Sequence, residues 1–336
     1  MTIQRLDATD IDTLGPLIHD YPFKPYRHYR VFPRRVQDGI LRAEIEEGLQ
    51  SPGGMAVRVS GDAQAAVVFH ALPWDSAFFG IPMGRILYVL RSTNARRGDL
   101  EQAISACLDM CRNAGILHVA ARIDVADADA ITALEDHRFR LMDALVTYVY
   151  LPRHDPPPAV REVGVLRAYR DDDERQIVDI AREAYRGYRS RFHLDPHLPD
   201  DRCDELYIEW ARKVCTRDMV HEILVSENER GDLHGFTSFR RIEPVSTIAG
   251  TPMYGRGLGA CRRDRPGAYA GLIRAAAASV HQRGGVAECQ TQNYNFSTVR
   301  VYEAVGMQYV RADYTFHAWL GPEASGQRAA APTRSA

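Results

Sequence analysis

One run of residues in the last fifth of the chain has side chains and spacing suited to proton transfer. Asn295 is followed by Tyr302 and Gly306 in the pattern Asn-x6-Tyr-x3-Gly. At helical spacing, Asn295 and Tyr302 share one face of a helix. A phenol with a pKa of about 10 is protonated at neutral pH, so Tyr302 could give a proton to a leaving group. The alternative is that Tyr302 only packs against a sheet.

A second group combines imidazole and carboxylate side chains. His193, Asp195 and His197 alternate, so on an extended strand they would share a face and could bind a metal or act as a base. The two leucines and the proline between and after them favour a loop instead. Glu288 and Glu303 are further candidate bases.

A run of prolines indicates where the chain divides into domains. Three consecutive prolines at 156–158 favour an extended spacer. We therefore expect one domain over 1–152, a proline-rich linker over 153–161 and a second domain over 162–320. The residues from 321 to 336 are mostly small or polar, and we expect a disordered tail.

Hydrophobic periodicity predicts the same order of elements in both halves. In the first half, strands are expected at 2–6, 55–60, 64–72, 84–91, 117–123 and 144–151, and helices at 8–19, 34–49, 98–114 and 127–137. In the second half, strands are expected at 163–168, 221–227, 234–241, 252–261, 285–291 and 307–319, and helices at 172–186, 199–215, 267–283 and 296–305. The aromatic segment 74–80 is either core followed by a turn or a surface on which a sugar or a base could stack.

The two halves are also similar residue by residue. Residues 119–139 resemble residues 286–307, and Leu134 falls opposite Tyr302 at an offset of 168 positions. A repeat unit of this size indicates two copies of a domain rather than a solenoid.

This order of elements resembles that of the GNAT N-acetyltransferases. Three segments, 72–86, 190–213 and 252–320, are most similar to acetyltransferases of nucleotide-linked amino sugars, the TDP-fucosamine acetyltransferase group. The resemblance covers most of the chain. It implies an α/β fold of two tandem GNAT-like domains, each a mostly antiparallel sheet flanked by helices.

The resemblance implies a loop that binds the pyrophosphate of coenzyme A at the start of a helix, where amides and the helix dipole favour an anion. Family spacing to the asparagine before the next helix favours Ala270, 25 residues before Asn295, over Gly259, 36 residues before it. The second choice would also place Pro266 inside a helix. The predicted contacts are Arg265, Gly267, Ala268, Tyr269 and Ala270. The loop departs from the family pattern, because Ala268 replaces a glycine and Pro266 removes an amide.

The resemblance also implies roles for residues around this loop. The glycine-rich strand before it would bulge and hold the thioester carbonyl with the backbone of Gly259, Ala260 and Cys261. Asn295 would contact the cofactor, and Tyr302 would protonate the departing thiolate.

The segment 190–213 would lie beside the acceptor. His193, Asp195 and Glu288 are therefore the candidate substrate contacts, and Arg189 and Arg191 could meet a diphosphate.

The repeat supplies an internal comparison for these roles. Leu134, opposite Tyr302, cannot donate a proton. The counterpart of the phosphate loop is the segment 97–102, where Asp99 and Glu101 would repel phosphate. We expect the first half to keep the fold without the chemistry.

Composition excludes several classes of protein. The chain has 45% hydrophobic and 26% charged residues and a net charge of −2, so it is neither disordered nor strongly basic. It has neither a long apolar span nor a signal-like N-terminus. Its six cysteines include no CxxC pair. We therefore expect a cytoplasmic protein that binds no metal, nucleic acid or membrane; a homo-oligomer is an open alternative.

The expected function is acetyl transfer from acetyl-CoA to a primary amine in a ternary complex. The acceptor suggested by the resemblance is an amino sugar, free or nucleotide-linked. The alternatives are an acyltransferase for a natural-product or peptide amine and a non-catalytic acyl-CoA-binding or scaffold protein.

Overall fold

The computed structural model describes residues 2–151, 155–161, 163–218, 222–265 and 267–321; of Arg256 only the backbone is described. Pro266, most of the predicted tail and parts of the predicted linker lie outside these residues. The chain forms two compact units. The first unit contains Met1–Pro22, Glu44–Leu141 and the chain from Phe316 onward, and the second contains Phe23–Ala43 and Met142–Thr315.

The strands and helices follow the chain in the predicted order, with two helices added. The strands are β1 (Thr2–Leu6), β2 (Met55–Ser60), β3 (Gln64–Ala71), β4 (Met83–Arg91), β5 (His118–Asp124), β6 (Arg140–Tyr150), β7 (Val165–Ala168), β8 (Glu222–Glu227), β9 (Leu233–Arg241), β10 (Met253–Cys261), β11 (Val286–Gln292) and β12 (Gln308–Trp319). The helices are α1 (Gly15–Asp20), α2 (Arg34–Gln50), α3 (Pro73–Phe79), α4 (Arg97–Asn113), α5 (Ala128–Asp136), α6 (Glu174–Tyr185), α7 (Asp200–Cys215), α8 (Glu243–Ala249), α9 (Ala268–Gln282) and α10 (Phe296–Ala304). Short 3-10 turns precede α1 and α6.

The first unit is a sheet in the order β1-β2-β3-β4-β5. The first four strands pair antiparallel, and β5 runs parallel to β4 over Met83–Ile86. The helix α4 buries one face, including Leu100, Ile104 and Leu108, which have the helical spacing that predicted it.

The second unit contains a sheet in the order β12-β6-β11-β10-β9-β8-β7, to which β6 contributes its residues from Met142 and β12 its residues up to Thr315. The central strand β11 pairs antiparallel with β6, from Ala287–Tyr150 to Gln292–Leu145, and parallel with β10. Tyr302 of α10 and Tyr269 of α9 belong to a core on one face. A separate core around Tyr29 and Ile40 contains residues of the segment Phe23–Ala43. Part of the first half of the sequence therefore belongs to the second unit.

The helices α3 and α8 were not predicted from the sequence, and they are copies of one motif. Ser76 Oγ donates to Leu72 O at 2.7 Å and accepts from Met83 N at 2.9 Å. Ser246 Oγ makes the same two bonds, to Ile242 O at 2.7 Å and from Met253 N at 2.9 Å. The shared pattern Ser-x3-Gly-x-Pro-Met, ending at Met83 and Met253, was the signal in the sequence.

The aromatic segment 74–80 therefore forms a short helix rather than core plus a turn. Trp74 and Phe78 stack with ring centroids 5.7 Å apart, and both side chains are half-buried. Gly80 ends this helix in the left-handed conformation, at φ 69°. Stacking of a sugar or a base on this segment stays a prediction.

The described part of the proline-rich linker packs against the second unit. Pro157 is buried, and Pro158 O accepts from Arg274 Nε at 3.1 Å. The Tyr150 hydroxyl donates to Asp155 O. The division into domains 1–152 and 162–320, separated by this linker, remains a prediction. The contacts in the structure instead define two units, each made of separate segments of the chain.

Two sequence expectations concern the whole chain. All six cysteines are free, and five are buried. None of the described helices combines the length and apolar character that crossing a bilayer requires.

The serine motif generates a stability prediction. Ser246→Ala leaves the buried Met253 amide without its acceptor, so it should lower the free energy of unfolding by about 1–3 kcal/mol. Ser76→Ala should lower it by a similar amount, because the bond lengths are the same. Urea denaturation followed by circular dichroism measures both variants; a neutral result for either one would contradict the stabilising role of the motif.

Candidate active site

The second unit opens where two central strands separate. The ladder between β10 and β11 comprises Met253–Val286, Tyr254–Ala287 and Gly255–Glu288. Beyond Gly255, β10 continues to Cys261 along β9, and β11 continues to Gln292 along β6. The two strands therefore form a wedge whose closed end is the Gly255–Glu288 pair. The backbone edges inside a wedge can bind a ligand that replaces the missing ladder.

A bulge in β10 lies along one edge of this wedge, as the glycines predicted. The register with β9 shifts between Arg256–Phe239 and Gly259–Thr237. Ser238 Oγ donates to Leu258 O at 2.8 Å, and Tyr185 Oη donates to Gly259 O at 2.8 Å. These bonds fix the orientation of the bulged peptide groups. A Cβ at Gly259 would lie 3.0 Å from Thr237 Oγ1, so the strands approach closely here.

The predicted phosphate loop connects this strand to α9. Tyr254 to Gly259 lie within β10, which ends at Cys261; Arg265 and Gly267 lie between this strand and α9, and Ala268, Tyr269 and Ala270 begin the helix. Gly267 is the N-cap, and a Cβ there would lie 2.7 Å from Val163 Cγ2. A side chain at this position would have to displace Val163, so the packing favours glycine.

The N-terminus of α9 can attract an anion. Its first turn, which begins Ala268-Tyr269-Ala270, contains no acidic residue. Two amides are already used, since Ala268 N donates to Arg265 O at 3.1 Å and Tyr269 N donates to the thiol of Cys261. Burial nevertheless raises the pKa of Cys261. A bound anion would be held by the other amides of the turn, the helix dipole and nearby arginines.

Three arginines accompany this loop. Arg263 N donates to Glu183 Oε1 at 2.9 Å, and Arg262 Nη1 lies 3.5 Å from Glu183 Oε2. Arg265 is largely exposed and lies 3.4 Å from Asp264. Glu183 on α6 therefore anchors the loop, and the guanidinium of Arg265 extends toward solvent, where it could contact a phosphate.

The corresponding helix of the first unit is closed to an anion by its own side chains. Asp99 Oδ2 accepts from Arg96 N at 2.8 Å, and Arg97 pairs with Glu101 at 2.8 Å. Carboxylates therefore occupy the first turn of α4, where phosphate charge would have to lie. This arrangement supports the expectation that the first half does not bind a cofactor in this way.

Asn295 is the N-cap of α10. Its Oδ1 accepts from Thr298 N at 3.3 Å, and its Nδ2 donates to Thr291 Oγ1 at 3.0 Å. The first-unit counterpart, Asp127, caps α5 and pairs with Arg91 at 2.7 Å. Capping explains a short polar side chain at both positions. A cofactor contact by Asn295 remains a prediction.

Tyr302 is fully buried in the core beside β11. Its hydroxyl lies 3.5 Å from Gln290 O, and its ring centroid is 5.6 Å from that of Tyr148. Gln290 lies on the β11 arm of the wedge, two residues beyond its closed end. The phenol hydroxyl thus lies beside the β11 arm, and its role as a proton donor stays a prediction. Leu134 is also fully buried on α5, but it offers no hydroxyl.

A row of polar side chains follows alternate positions of β11. Tyr29 Oη donates to Glu288 Oε1 at 2.8 Å, and Gln290 Nε2 donates to Thr147 Oγ1 at 3.2 Å. Gln292 Nε2 donates to Asp143 Oδ2 at 3.4 Å. Alternation places the three β11 side chains on one face of the sheet. This face presents amide and carboxylate groups, which suit a hydroxylated or amine-bearing ligand.

Glu288 has the electrostatic environment of a base. Burial raises its pKa above the usual value of 4.5, and the negative charge of Asp313 adds to that effect. The charge of Arg311 and the hydrogen bond from Tyr29 act in the opposite direction. Burial also raises the pKa of Tyr29 well above 10.0, so Tyr29 stays a neutral donor. A carboxylate with a raised pKa at the closed end of the wedge can accept a proton near neutral pH.

Two tyrosines connect the arms of the wedge. Tyr185 bonds to Gly259 O on β10, and the hydroxyl of Tyr188 donates to Gln292 on β11. Their rings meet edge to face, with centroids 5.4 Å apart. Asn295 Nδ2 lies 3.5 Å from the Tyr188 hydroxyl. The separation of the strands is therefore held by side chains.

The segment with His193 and Asp195 is a loop, as its leucines and proline favoured, and the strand alternative was wrong. His193 Nδ1 lies 3.0 Å from Ser190 Oγ, and Nε2 lies 3.1 Å from Asp204 Oδ1. Asp195 is buried, and its Oδ1 accepts from His197 N at 3.1 Å. These contacts hold the loop in shape, and a substrate contact by His193 or Asp195 remains a prediction.

Sequence reasoning missed several residues of this site. The alternation of Glu288, Gln290 and Gln292 in a central strand was a usable signal, because central strands are usually apolar on both faces. No sequence pattern pointed to Tyr29, since it lies 259 positions from Glu288, its hydrogen-bond partner.

Comparison with solved structures identifies the fold. The chain superposes on a GCN5-related N-acetyltransferase from Sphaerobacter thermophilus with a TM-score of 0.62 and 16% identity over 96% of each chain. It superposes on a tandem GNAT protein from the clavulanic acid biosynthesis pathway with a TM-score of 0.55 and 15% identity, covering 96% of this chain and 99% of that one. The chain thus has the tandem GNAT fold, which confirms the fold expected from the sequence.

Two further comparisons concern sugars. The chain is 27% identical over 302 residues to the spore coat polysaccharide biosynthesis protein SpsD of Bacillus subtilis (strain 168), covering 86% of this chain and 99% of that protein. A glucosamine N-acetyltransferase region of a fungal multi-domain β-N-acetylglucosaminidase aligns with a TM-score of 0.60 at 12% identity, over 94% of this chain and 38% of that one. No protein-family model matches the chain.

The environment of Glu288 generates a pH prediction. A folded-state pKa above the unfolded value means that the folded protein keeps a proton that the unfolded chain has lost, so stability falls as pH rises through that window. Glu288→Gln removes this loss. The advantage of the variant in free energy of unfolding should be absent below pH 4.5, grow above it, and level off beyond the raised pKa.

Denaturation at a series of pH values measures this advantage. Tyr29→Phe removes a bond that lowers the pKa of Glu288, so in that background the effect of Glu288→Gln should extend to higher pH. Parallel stability curves for Glu288→Gln and the unmodified protein would show that burial does not perturb the carboxyl.

Proposed function

We propose that this protein is an acetyl-CoA-dependent N-acetyltransferase that acts on a primary amine. The observation that supports it best is the wedge, with an acid-free helix N-terminus at the loop leading from its β10 arm. A buried tyrosine lies beside β11, and a half-buried glutamate lies on it. The close packing at Gly267 and the absence of acidic residues from the first turn of α9 suit the diphosphate of coenzyme A. The pantetheine amides would bond to the open strand edges, much as a further strand would.

Bound acetyl-CoA supplies an activated acetyl group, and the chain supplies the rest. Glu288 accepts a proton from the ammonium or from the attacking amine, directly or through water. The backbone around 257–261 donates to the carbonyl oxygen as negative charge develops there. Tyr302 protonates the sulfur as the carbon–sulfur bond breaks and the carbon–nitrogen bond forms. The proton taken by Glu288 then passes through solvent to Tyr302 and restores both groups, and an acceptor that arrives as an ammonium releases its extra proton to solvent.

We further propose an amino sugar, free or nucleotide-linked, as the acceptor. The polar row of Glu288, Gln290, Gln292 and Asp143 offers both donors and acceptors to several hydroxyl groups, and its carboxylates favour an amine. The names of the sugar-related proteins that resemble this chain agree with this choice. Peptide and natural-product amines are the competing acceptors.

The loop of α9 predicts one coenzyme A site per chain. Calorimetric titration with acetyl-CoA should give one site. Gly267→Ala should weaken binding at least tenfold, because the new methyl group would displace Val163 or the loop. Gly98→Ala is the matched control in the first turn of α4, where a Cβ meets no atom within 4 Å, and it should leave binding unchanged.

Other results of this titration would change the proposal. Two sites would show that the first half also binds the cofactor. Equal affinities for the Gly267→Ala variant and the control would move the site away from this loop, and no binding would refute the proposed function.

Tyr302 predicts a specific loss of turnover. Tyr302→Phe should lower kcat roughly 10²- to 10⁴-fold, the usual range for a general acid, with acetyl-CoA affinity unchanged. The measurement uses the acceptor found in a panel of free and nucleotide-linked amino sugars, peptides and antibiotic amines. Tyr148→Phe is the control, since its ring is adjacent but its hydroxyl bonds to Glu303. Unchanged turnover in Tyr302→Phe would remove this residue from the mechanism.

A further inference from the structure

The carboxylate of Glu288 is held at one oxygen and open at the other. Its Oε1 accepts the hydrogen bond from Tyr29 Oη at 2.8 Å. Among the described residues its Oε2 has no hydrogen-bond partner, and Oε2 is not one of the oxygens that packing buries completely. Open space therefore lies next to Oε2, where a donor such as an amine can bind. The geometry separates an oxygen that is fixed from an oxygen that can react.

Packing on both sides leaves the ring of Tyr29 little freedom. The ring stacks on Phe32 with centroids 5.6 Å apart and an interplanar angle of 13°, and its centroid lies 5.3 Å from that of Tyr26. All three side chains are more than nine-tenths buried and belong to one core. The hydroxyl of Tyr29 is therefore aimed by its surroundings and not only by its bond to Glu288.

The backbone of this segment adopts an unfavourable conformation next to the packed ring. Tyr26 has a φ of 61°, in the left-handed region, which is costly for a bulky side chain. Tyr29 N donates to Tyr26 O at 2.9 Å, and Phe32 N donates to Tyr29 O at 2.9 Å. Lys24 is buried and pairs at 3.2 Å with Asp38 of α2, which ties the start of the segment to that helix. Strain of this kind persists where surrounding contacts determine it, and it clusters at active sites.

We infer that Tyr29 is a positioning residue for the proposed base, and that its hydroxyl fixes Glu288 Oε1 so that Oε2 faces the amine of the acceptor. This inference rests on the proposed function and adds a residue from the first half of the sequence to it. Tyr29 touches neither the cofactor nor the amine in this role. It limits the orientations of one carboxylate, because a general base must stay within hydrogen-bond reach of the proton that it accepts.

The other charged groups that act on Glu288 lie on β12. Burial is the main effect that raises the pKa of Glu288. The charge of Arg311 and the bond from Tyr29 lower this pKa, and the charge of Asp313 raises it. Arg311 and Asp313 lie 3.0 Å apart, and both stay in place when the hydroxyl of Tyr29 is removed. Loss of that hydroxyl should therefore raise the pKa of Glu288.

Tyr29→Phe tests the inference, because it keeps the packed ring and removes only the hydroxyl. The measurement is the pH dependence of kcat/KM for the acceptor found in the amine panel. The value of kcat/KM should fall roughly 10- to 100-fold, the factor that one hydrogen bond to a charged group is worth. A base works only when it is deprotonated, so the acid limb of the profile should move to higher pH. The affinity for acetyl-CoA, measured by calorimetry, should not change.

Two comparisons separate a positioning role from a structural one. Tyr148→Phe is the matched control, since Tyr148 Oη donates to Glu303 Oε1 at 3.0 Å in the same unit. It breaks a tyrosine–glutamate bond of similar length that does not involve Glu288, and it should leave the acid limb in place. In a Glu288→Gln background no base remains to be positioned, so Tyr29→Phe should cause no further loss of turnover.

The opposite results overturn the inference. An unchanged acid limb in Tyr29→Phe, or an equal loss with and without Glu288, would show that Tyr29 is only structural, while the acetyltransferase proposal stands. A limb that moves in Tyr148→Phe instead would assign the base to Glu303 and overturn the role of Tyr29. Failure of the unmodified protein to acetylate any amine would overturn both proposals. Thermal melting checks that each variant folds, and Tyr29→Leu, which also lacks the hydroxyl, replaces Tyr29→Phe if that variant does not fold.

Discussion

The end of the β10–β11 ladder at Gly255–Glu288 is the constraint on which the site depends. Separating two central strands exposes backbone groups that a sheet would normally pair, and buried unpaired groups are costly. The structure keeps the strands apart with specific contacts. The bulge turns the backbone of β10, Ser238 and Tyr185 bond its carbonyls, and Tyr188 bonds the opposite arm.

The duplicated halves keep the same order of elements but differ at residues to which the proposed function assigns chemistry. Both keep a polar N-cap on the helix after the fifth strand, and both keep a serine motif before the fourth. They differ at a few side chains: carboxylates fill the first turn of α4, and Leu134 replaces a phenol. The conserved parts satisfy backbone groups, whereas the divergent parts would face a ligand.

Most of the fold could be predicted from the sequence because it depends on local periodicity. The boundaries of α4 and β2 follow directly from apolar spacing and turn residues. The helices α3 and α8 could not be found in this way, since each is under two turns long and buries little of an apolar face. They are held by one serine each, a signal that only comparison of the two halves shows.

The candidate site was predictable where its residues are close in sequence. The loop before α9 and the run from Asn295 to Tyr302 lie within single strand–helix connections or helices. The partners of the polar row could not be predicted, because Tyr29 and Thr147 reach β11 only through tertiary packing.

The hydrogen bond from Tyr29 to Glu288 has a consequence for the two halves of the sequence. Tyr29 lies in Phe23–Ala43, and β6 lies before the proline run, yet both belong to the second unit. The first half of the sequence thereby contributes residues to the second unit. Substitutions in the first half of the sequence can therefore affect the second unit. Deletion of the first half would remove β6 and Tyr29 from that unit.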